Sequence, residues 1–217
     1  MREQFQEELD AVSSTLVDMA GLVKTAMQNA TTALLTADLA LAEKVIADDL
    51  IIDEIQHELD AKTINLIARQ SPVATDLRTL VTSLRMSADL ERMGDLAHHI
   101  AKAARMRYPA TAVPPELSLT IEEMGRVCVS IIEKVALVLK NRDTDRALEV
   151  EKDDDAIDSL HRKIIQTLLD PSWQHGIETA IDMTLLGRYY ERCADHAVSI
   201  ARRVYFLVTG TYASDKA

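Results

Sequence analysis

Displaced by 105 positions, the sequence falls back onto itself. Met19 meets Met124, Leu34 meets Leu139, Asp38 meets Asp143 and Ala42 meets Ala147. The matches run on through Val45 and Val150, Asp48-Asp49 and Asp153-Asp154, Ile52 and Ile157, and Asp53 and Asp158. Farther along the offset becomes 100, placing Glu91-Arg92 on Glu191-Arg192, Asp95 on Asp195, Ala97 on Ala197 and Ile100-Ala101 on Ile200-Ala201. The second copy is therefore shorter between its second and third segments, and loops or helix ends absorb such changes more readily than packed helices do. A duplicated chain folds each copy into the same unit, so the sequence has to specify one small unit twice.

The unit is helical. Aromatic residues make up only 4% of the chain, and it contains 6 Gly and 5 Pro, too few turn formers for a protein of many short strands. Apolar residues recur in steps of three and four, which predicts helices over 5–37, 39–69, 72–107, 117–141, 143–169 and 176–209. Ser71-Pro72 and Asp170-Pro171 read as helix N-caps followed by proline at the first helical position, opening the third helix of each copy. Tyr108-Pro109-Ala-Thr-Ala-Val-Pro114-Pro115 holds three of the five prolines and cannot continue a helix. The expected architecture is all-α: two tandem three-helix bundles related by internal duplication, the first over 1–107, a linker over 108–116 and the second over 117–217.

Charge narrows the function. With 35 acidic and 24 basic residues, the net charge of -11 argues against a nucleic-acid binder, which needs cations against phosphate. It suits capture of metal cations or docking on a basic protein surface. No apolar run approaches the roughly 20 residues that span a bilayer, and the N-terminal stretch has no apolar core of a secretory signal. Cys128 and Cys193 lack a short-spaced partner motif, so a reduced, cytoplasmic protein is expected, with both thiols as packing residues. No glycine-rich phosphate loop, Gly-x-Ser-x-Gly or His-Glu-x-x-His is present, and nucleophilic catalysis has no support.

The chemistry concentrates in four acidic pairs. The third helix's apolar stripe, Leu77, Leu80, Leu84 and Ala88, leads in the same stepping to Glu91 and Asp95, then His98. Its counterpart passes through Ile181 and Leu185 to Glu191 and Asp195. On the second helix Asp49 and Asp53 extend the seam of Ile52, Ile55 and Leu59, as Asp154 and Asp158 extend Ile157, Leu160 and Ile164. Each pair stacks two carboxylates on one helix face, a mildly repulsive arrangement even in water and a costly one when desolvated. Facing pairs would supply a hard-oxygen site for iron, manganese, magnesium, calcium or zinc. Neutralisation by Arg92, Arg188 and Arg192 is the competing reading, and one such pair by itself usually marks a solvated face. His57 and His99 each follow an acidic pair by four residues, although ordinary exposed histidines fit them better. Trp173 is a packing anchor or a surface contact.

These residues resemble the PhoU family of bacterial phosphate-transport accessory and regulatory proteins. The matching segments are Ser71-Pro-Val-Ala-Thr-Asp-Leu-Arg78, Asp89-Leu-Glu-Arg-Met-Gly-Asp95 and Tyr190-Glu-Arg-Cys-Ala-Asp-His-Ala197. The second copy departs from the first signature, reading Pro171-Ser-Trp-Gln-His-Gly176. The resemblance implies a non-enzymatic negative regulator of the phosphate-starvation response, in contact with the phosphate ABC transporter ATPase and a sensor histidine kinase. It also implies a homodimer at the inner membrane face, with iron or zinc clusters on the Glu/Asp-x-x-x-Asp motifs. A ferritin-like di-iron enzyme or iron store is the alternative. Such sites want Glu-x-x-His motifs, which only Asp95-Leu-Ala-His98 is expected to approach, with none in the second copy.

Overall fold

The computed structural model describes residues 2–211. They form six helices: α1 (Arg2–Thr36), α2 (Leu39–Gln70), α3 (Ala74–Arg107), α4 (Pro115–Asn141), α5 (Thr144–Leu168) and α6 (Gly176–Thr209). Each copy is an antiparallel three-helix bundle, and the two lie side by side through α1 against α4 and α3 against α6. Lys24 pairs with Glu133 and Thr31 meets Gly125, so α1 and α4 run antiparallel. Asp89 pairs with His196 and Arg107 with Asp182, so α3 and α6 do too. The copies are thus related by a pseudo-two-fold, with α2 and α5 on the outer flanks. Buried apolar side chains from all six helices merge into one continuous core.

The duplication extends to the backbone. Ala37 and Arg142 occupy repeat-related positions, and both turn left-handed, at φ 51° and 52°. The next residues, Asp38 and Asp143, cap α2 and α5 by accepting the backbone N–H of Leu41 at 2.9 Å and of Arg146 at 3.0 Å. A left-handed alanine is strained by its Cβ. Ala37→Gly is therefore expected to raise stability by about 0.5 kcal/mol, after subtracting the extra freedom glycine gains in the unfolded chain. A chemical-denaturation midpoint shifted downward would contradict this.

Both predicted N-caps of the third helices are corrected. Ser71 is left-handed, at φ 44°, and its N–H bonds to the Ile67 carbonyl, so it closes α2. Pro72 and Val73 lie outside helix, and α3 begins at Ala74 without a side-chain cap. The Asp170 carboxylate accepts from the N–H and hydroxyl of Ser172 at 2.8 and 2.6 Å, which spends it on a turn. Helix α6 begins only at Gly176, whose carbonyl accepts the Trp173 indole N–H at 3.0 Å. Trp173 is partly buried against the core and ties down this connection. In the linker, Pro115 opens α4, while Ala112 and Val113 are buried.

Candidate metal centres

The first acidic cluster lies between α2 and α3. Asp49, only 7% exposed, and Asp53 face Glu91 and Asp95. Gly94 lets these helices approach: a Cβ there would lie 3.0 Å from Ile52 Cδ1 and 3.3 Å from Asp49 Oδ1. Asp49 is bonded to His98 Nδ1, while His98 Nε2 is buried without a partner. Arg92 donates to Asp95 at 2.7 Å and reaches Glu91 at 3.5 Å. Burial, then the charges of Asp49 and Asp95, raise the Asp53 carboxyl above its ordinary pKa. Burial and the neighbouring Asp95 do the same to Glu91, partly offset by Arg92.

The second cluster, between α5 and α6, is compensated less well. Arg188 bonds to Glu191, and His161 Nδ1 stands 3.6 Å from the same carboxylate. Asp154 gets neither: its Oδ1 is buried with no partner. Burial and the charges of Asp158 and Asp195 push its pKa up to about 6. Asp195 is raised as well, by burial first and Glu191 second. Close approach here comes from Gly187, where a Cβ would meet His161 Cδ2 at 2.9 Å.

All eight carboxylates singled out by spacing thus gather as two sets of four. Arginine neutralisation is also present, but it is partial: Arg92 and Arg188 take part, and Arg192 makes no ion pair among the described residues. Among those residues no three His, Cys, Asp or Glu side chains converge to hold one ion as they stand. Their chemistry nevertheless fits a hard cation, because the second cluster leaves a buried carboxylate oxygen and several like charges unbalanced. A cation would need these side chains to turn toward it.

The imidazoles within ion-pair distance of the acids are His98 and His161. His57 is exposed but close enough for its charge to act on Asp53, and His99 stacks on Tyr189 at 5.3 Å. The second copy does contain an Asp-x-x-His: Asp158-Ser-Leu-His161, on α5 where the first copy's lies on α3. The expectation that it had none is corrected. Each cluster holds one imidazole within ion-pair distance of an acid, from a different helix of the repeat. The first copy also carries Glu54-Ile-Gln-His57 on α2, so Asp95-Leu-Ala-His98 is not alone there, but Glu54 and His57 are both exposed. Cys128 and Cys193 are buried, and the Cys128 thiol donates to the Tyr190 carbonyl at 3.4 Å. No described helix is long and apolar enough to cross a membrane.

The sequence profile of the PhoU domain matches residues 16–104 and again 121–204. Phosphate-specific transport system accessory protein PhoU homolog 2 of Mycobacterium tuberculosis is 45% identical over 212 residues, covering 98% of this chain and 100% of that protein. PhoU homolog 1 of Mycobacterium leprae is 45% identical over 99% of this chain and 97% of its own length. Among solved structures, PhoU from Pseudomonas aeruginosa superposes with a TM-score of 0.86 at 29% identity, covering 95% of this chain and 100% of that one. The chain belongs to the PhoU family.

Proposed function

We propose that this protein is a non-enzymatic regulator of phosphate uptake that holds the phosphate-starvation response off when phosphate is plentiful. The similarity over nearly its full length to phosphate-specific transport system accessory proteins carries this reading. Its contacts would be the ATPase of the phosphate ABC transporter and a sensor histidine kinase, met as a homodimer in the cytoplasm at the membrane's inner face. Long rigid helices with two-sided symmetry suit such bridging. Deletion of the gene in its native host is expected to switch on phosphate-starvation genes under high phosphate. Unchanged expression, in a strain with no second copy of the gene, would refute the reading.

The two acidic clusters are metal-binding in this proposal. Asp49, Asp53, Glu91 and Asp95 hold one iron or zinc centre, and Asp154, Asp158, Glu191 and Asp195 the other. The metal would neutralise like charges and pin α2 to α3 and α5 to α6. Support comes from the pairing of the motifs across helices and from the unbalanced carboxylates, Asp154 above all. Elemental mass spectrometry on untagged protein is expected to find more than one metal atom per chain. Replacing Asp49, Asp53, Glu91 and Asp95 by Ala should remove about half, because the second cluster shares no ligand with the first. Metal-free, folded protein would assign the clusters to arginine and water instead.

A further inference from the structure

Charge is segregated between the helices. The outer helices α2 and α5 each carry seven acidic residues, against three and four basic ones. Helix α3 reverses the balance, with six basic residues against four acidic, and α6 carries four of each. Two of the acids on α3 and α6 point into the seam between them. Asp89 is bonded to His196 at 3.0 Å and Arg203 at 3.1 Å, and Asp182 to Arg107 at 2.6 Å. Each of these acids is matched by an arginine of the same two helices, so outside the seam α3 and α6 keep a small excess of cations, eight basic residues against six acidic. Arg85 and Lys102 on α3 and Arg192 on α6 are exposed and make no ion pair among the described residues. Exposed Arg92, Arg188 and Arg202 share the face, already paired with acids.

The same two stripes carry apolar side chains at their starts. Leu77 and Val81 on α3 are 37% and 38% exposed; their repeat-related partners Ile177 and Ile181 on α6 are 81% and 54% exposed. Leu185 continues the second stripe at 46%. Because α3 and α6 are antiparallel, these apolar groups lie at opposite ends, with the cations and the acids paired to them in between. At the α6 end Ile177, Ile181 and Leu185 line a groove shared with Leu168 and Leu169, where α5 ends. The juxtaposition is direct at one end, where Lys102, Met106 and Leu185 line a depression of about 140 Å³. Duplication has kept an exposed apolar patch at both ends, where a merely soluble surface has no use for one.

We propose that the α3/α6 face docks directly on an anionic phospholipid bilayer, with its cations among the headgroups and its two apolar ends at the acyl boundary. Cationic side chains beside apolar ones are what the interface of such a bilayer selects. A helix of 34 residues is about 50 Å long, so the two patches are far apart. A fluid anionic plane satisfies both at once, with no fixed register. An acidic protein would have to present two apolar pockets at that separation with carboxylates between them. The acidic flanks formed by α2 and α5 would be repelled by the same bilayer, which fixes which side faces it. This inference needs no metal in either cluster.

The test is flotation of the purified full-length protein with vesicles of phosphatidylcholine, with and without about 30% phosphatidylglycerol, at low salt and at about 0.5 M salt. Binding is expected only to the anionic vesicles and should be lost at high salt. Arg85→Glu/Arg192→Glu should weaken it by more than tenfold while circular dichroism stays helical. Ile177→Ser/Ile181→Ser should weaken it at constant charge. Absence of binding to anionic vesicles, or equal binding to neutral ones, would overturn the proposal. So would binding indifferent to both variants. If the protein ignores vesicles but is retained on immobilised polyglutamate through Arg85 and Arg192, the occupant is an acidic protein and the bilayer is rejected.

Discussion

Gly125→Ala is expected to destabilise the protein by about 3 kcal/mol, although alanine is the better helix former. Gly125 lies on α4 where α1 crosses it, and a Cβ there would sit 2.4 Å from Thr31 Cγ2 and 2.7 Å from Thr31 Oγ1. Thr31 has little room to yield. Its hydroxyl donates to the Met27 carbonyl at 2.9 Å and is 2.8 Å from the hydroxyl of Tyr190, one of the largest fully buried side chains. Being β-branched on a helix, it has few alternative rotamers. Either α1 and α4 separate or Thr31 rotates and strands the Tyr190 hydroxyl in the core. Overpacking costs about 1–3 kcal/mol and an unsatisfied buried hydroxyl about as much again, against roughly 1 kcal/mol gained in helix propensity. In a chain of this size the melting temperature should fall by about 10 °C. Adding Thr31→Ala should recover part of the loss by clearing the space, although Tyr190 then lacks a partner. A Gly125→Ala protein as stable as its parent would mean the two copies are not held this closely.

Much of this was readable before any coordinate, for a physical reason. Duplication repeats every signal, so the i, i+4 acidic pairs could be judged together, and all eight carboxylates do gather into two sets. Helix limits fell within a few residues because the three-four periodicity is long and unbroken. The failures were local. Ser71 and Asp170 look like N-caps in sequence, but their roles depend on backbone angles and on Ser172, which periodicity does not register. One imidazole was harder. His98 is reached by the stepping of the third helix and by its Asp95-Leu-Ala-His98 motif, whereas His161, whose repeat position is held by Gln56, is hidden by the comparison of copies. An Asp-x-x-His search along every helix finds both. Nor does a sequence pattern reveal that α3 and α6 meet, since that contact joins residues about a hundred positions apart. The buried Asp89–His196–Arg203 and Arg107–Asp182 links belong to it.

The two clusters also differ in a way the matched motifs conceal. In the first, His98 bonds to buried Asp49 and Arg92 serves Asp95; in the second, Arg188 and His161 both attend Glu191, leaving Asp154 unserved. Without metal, the chelated protein is therefore expected to become more stable as pH falls from 7 to 5, the reverse of ordinary acid denaturation. Asp154 titrates near pH 6 when folded, against an ordinary value of 3.8. Between those values the folded state holds a proton that the unfolded state has released, so stability is lost as pH rises through this window. The raised Asp53, Glu91 and Asp195 act with the same sign. Asp154 is only half-buried, and solvent screening reduces its share to about 1 kcal/mol. Asp154→Asn should remove that share, stabilising the chelated protein at pH 7 and flattening its pH profile. Saturating metal should invert the profile, because the cation binds ionised carboxylates and competes with protons for them. At about a hundred times its dissociation constant it adds roughly 3 kcal/mol at pH 7, and less at pH 5. Thermal melts of wild type and Asp154→Asn, with chelator and with iron or zinc, separate these effects. Chelated wild type that gains stability from pH 5 to 7 and is indifferent to Asp154→Asn would remove the electrostatic case for the second centre; the reverse would place its strongest metal dependence at Asp154.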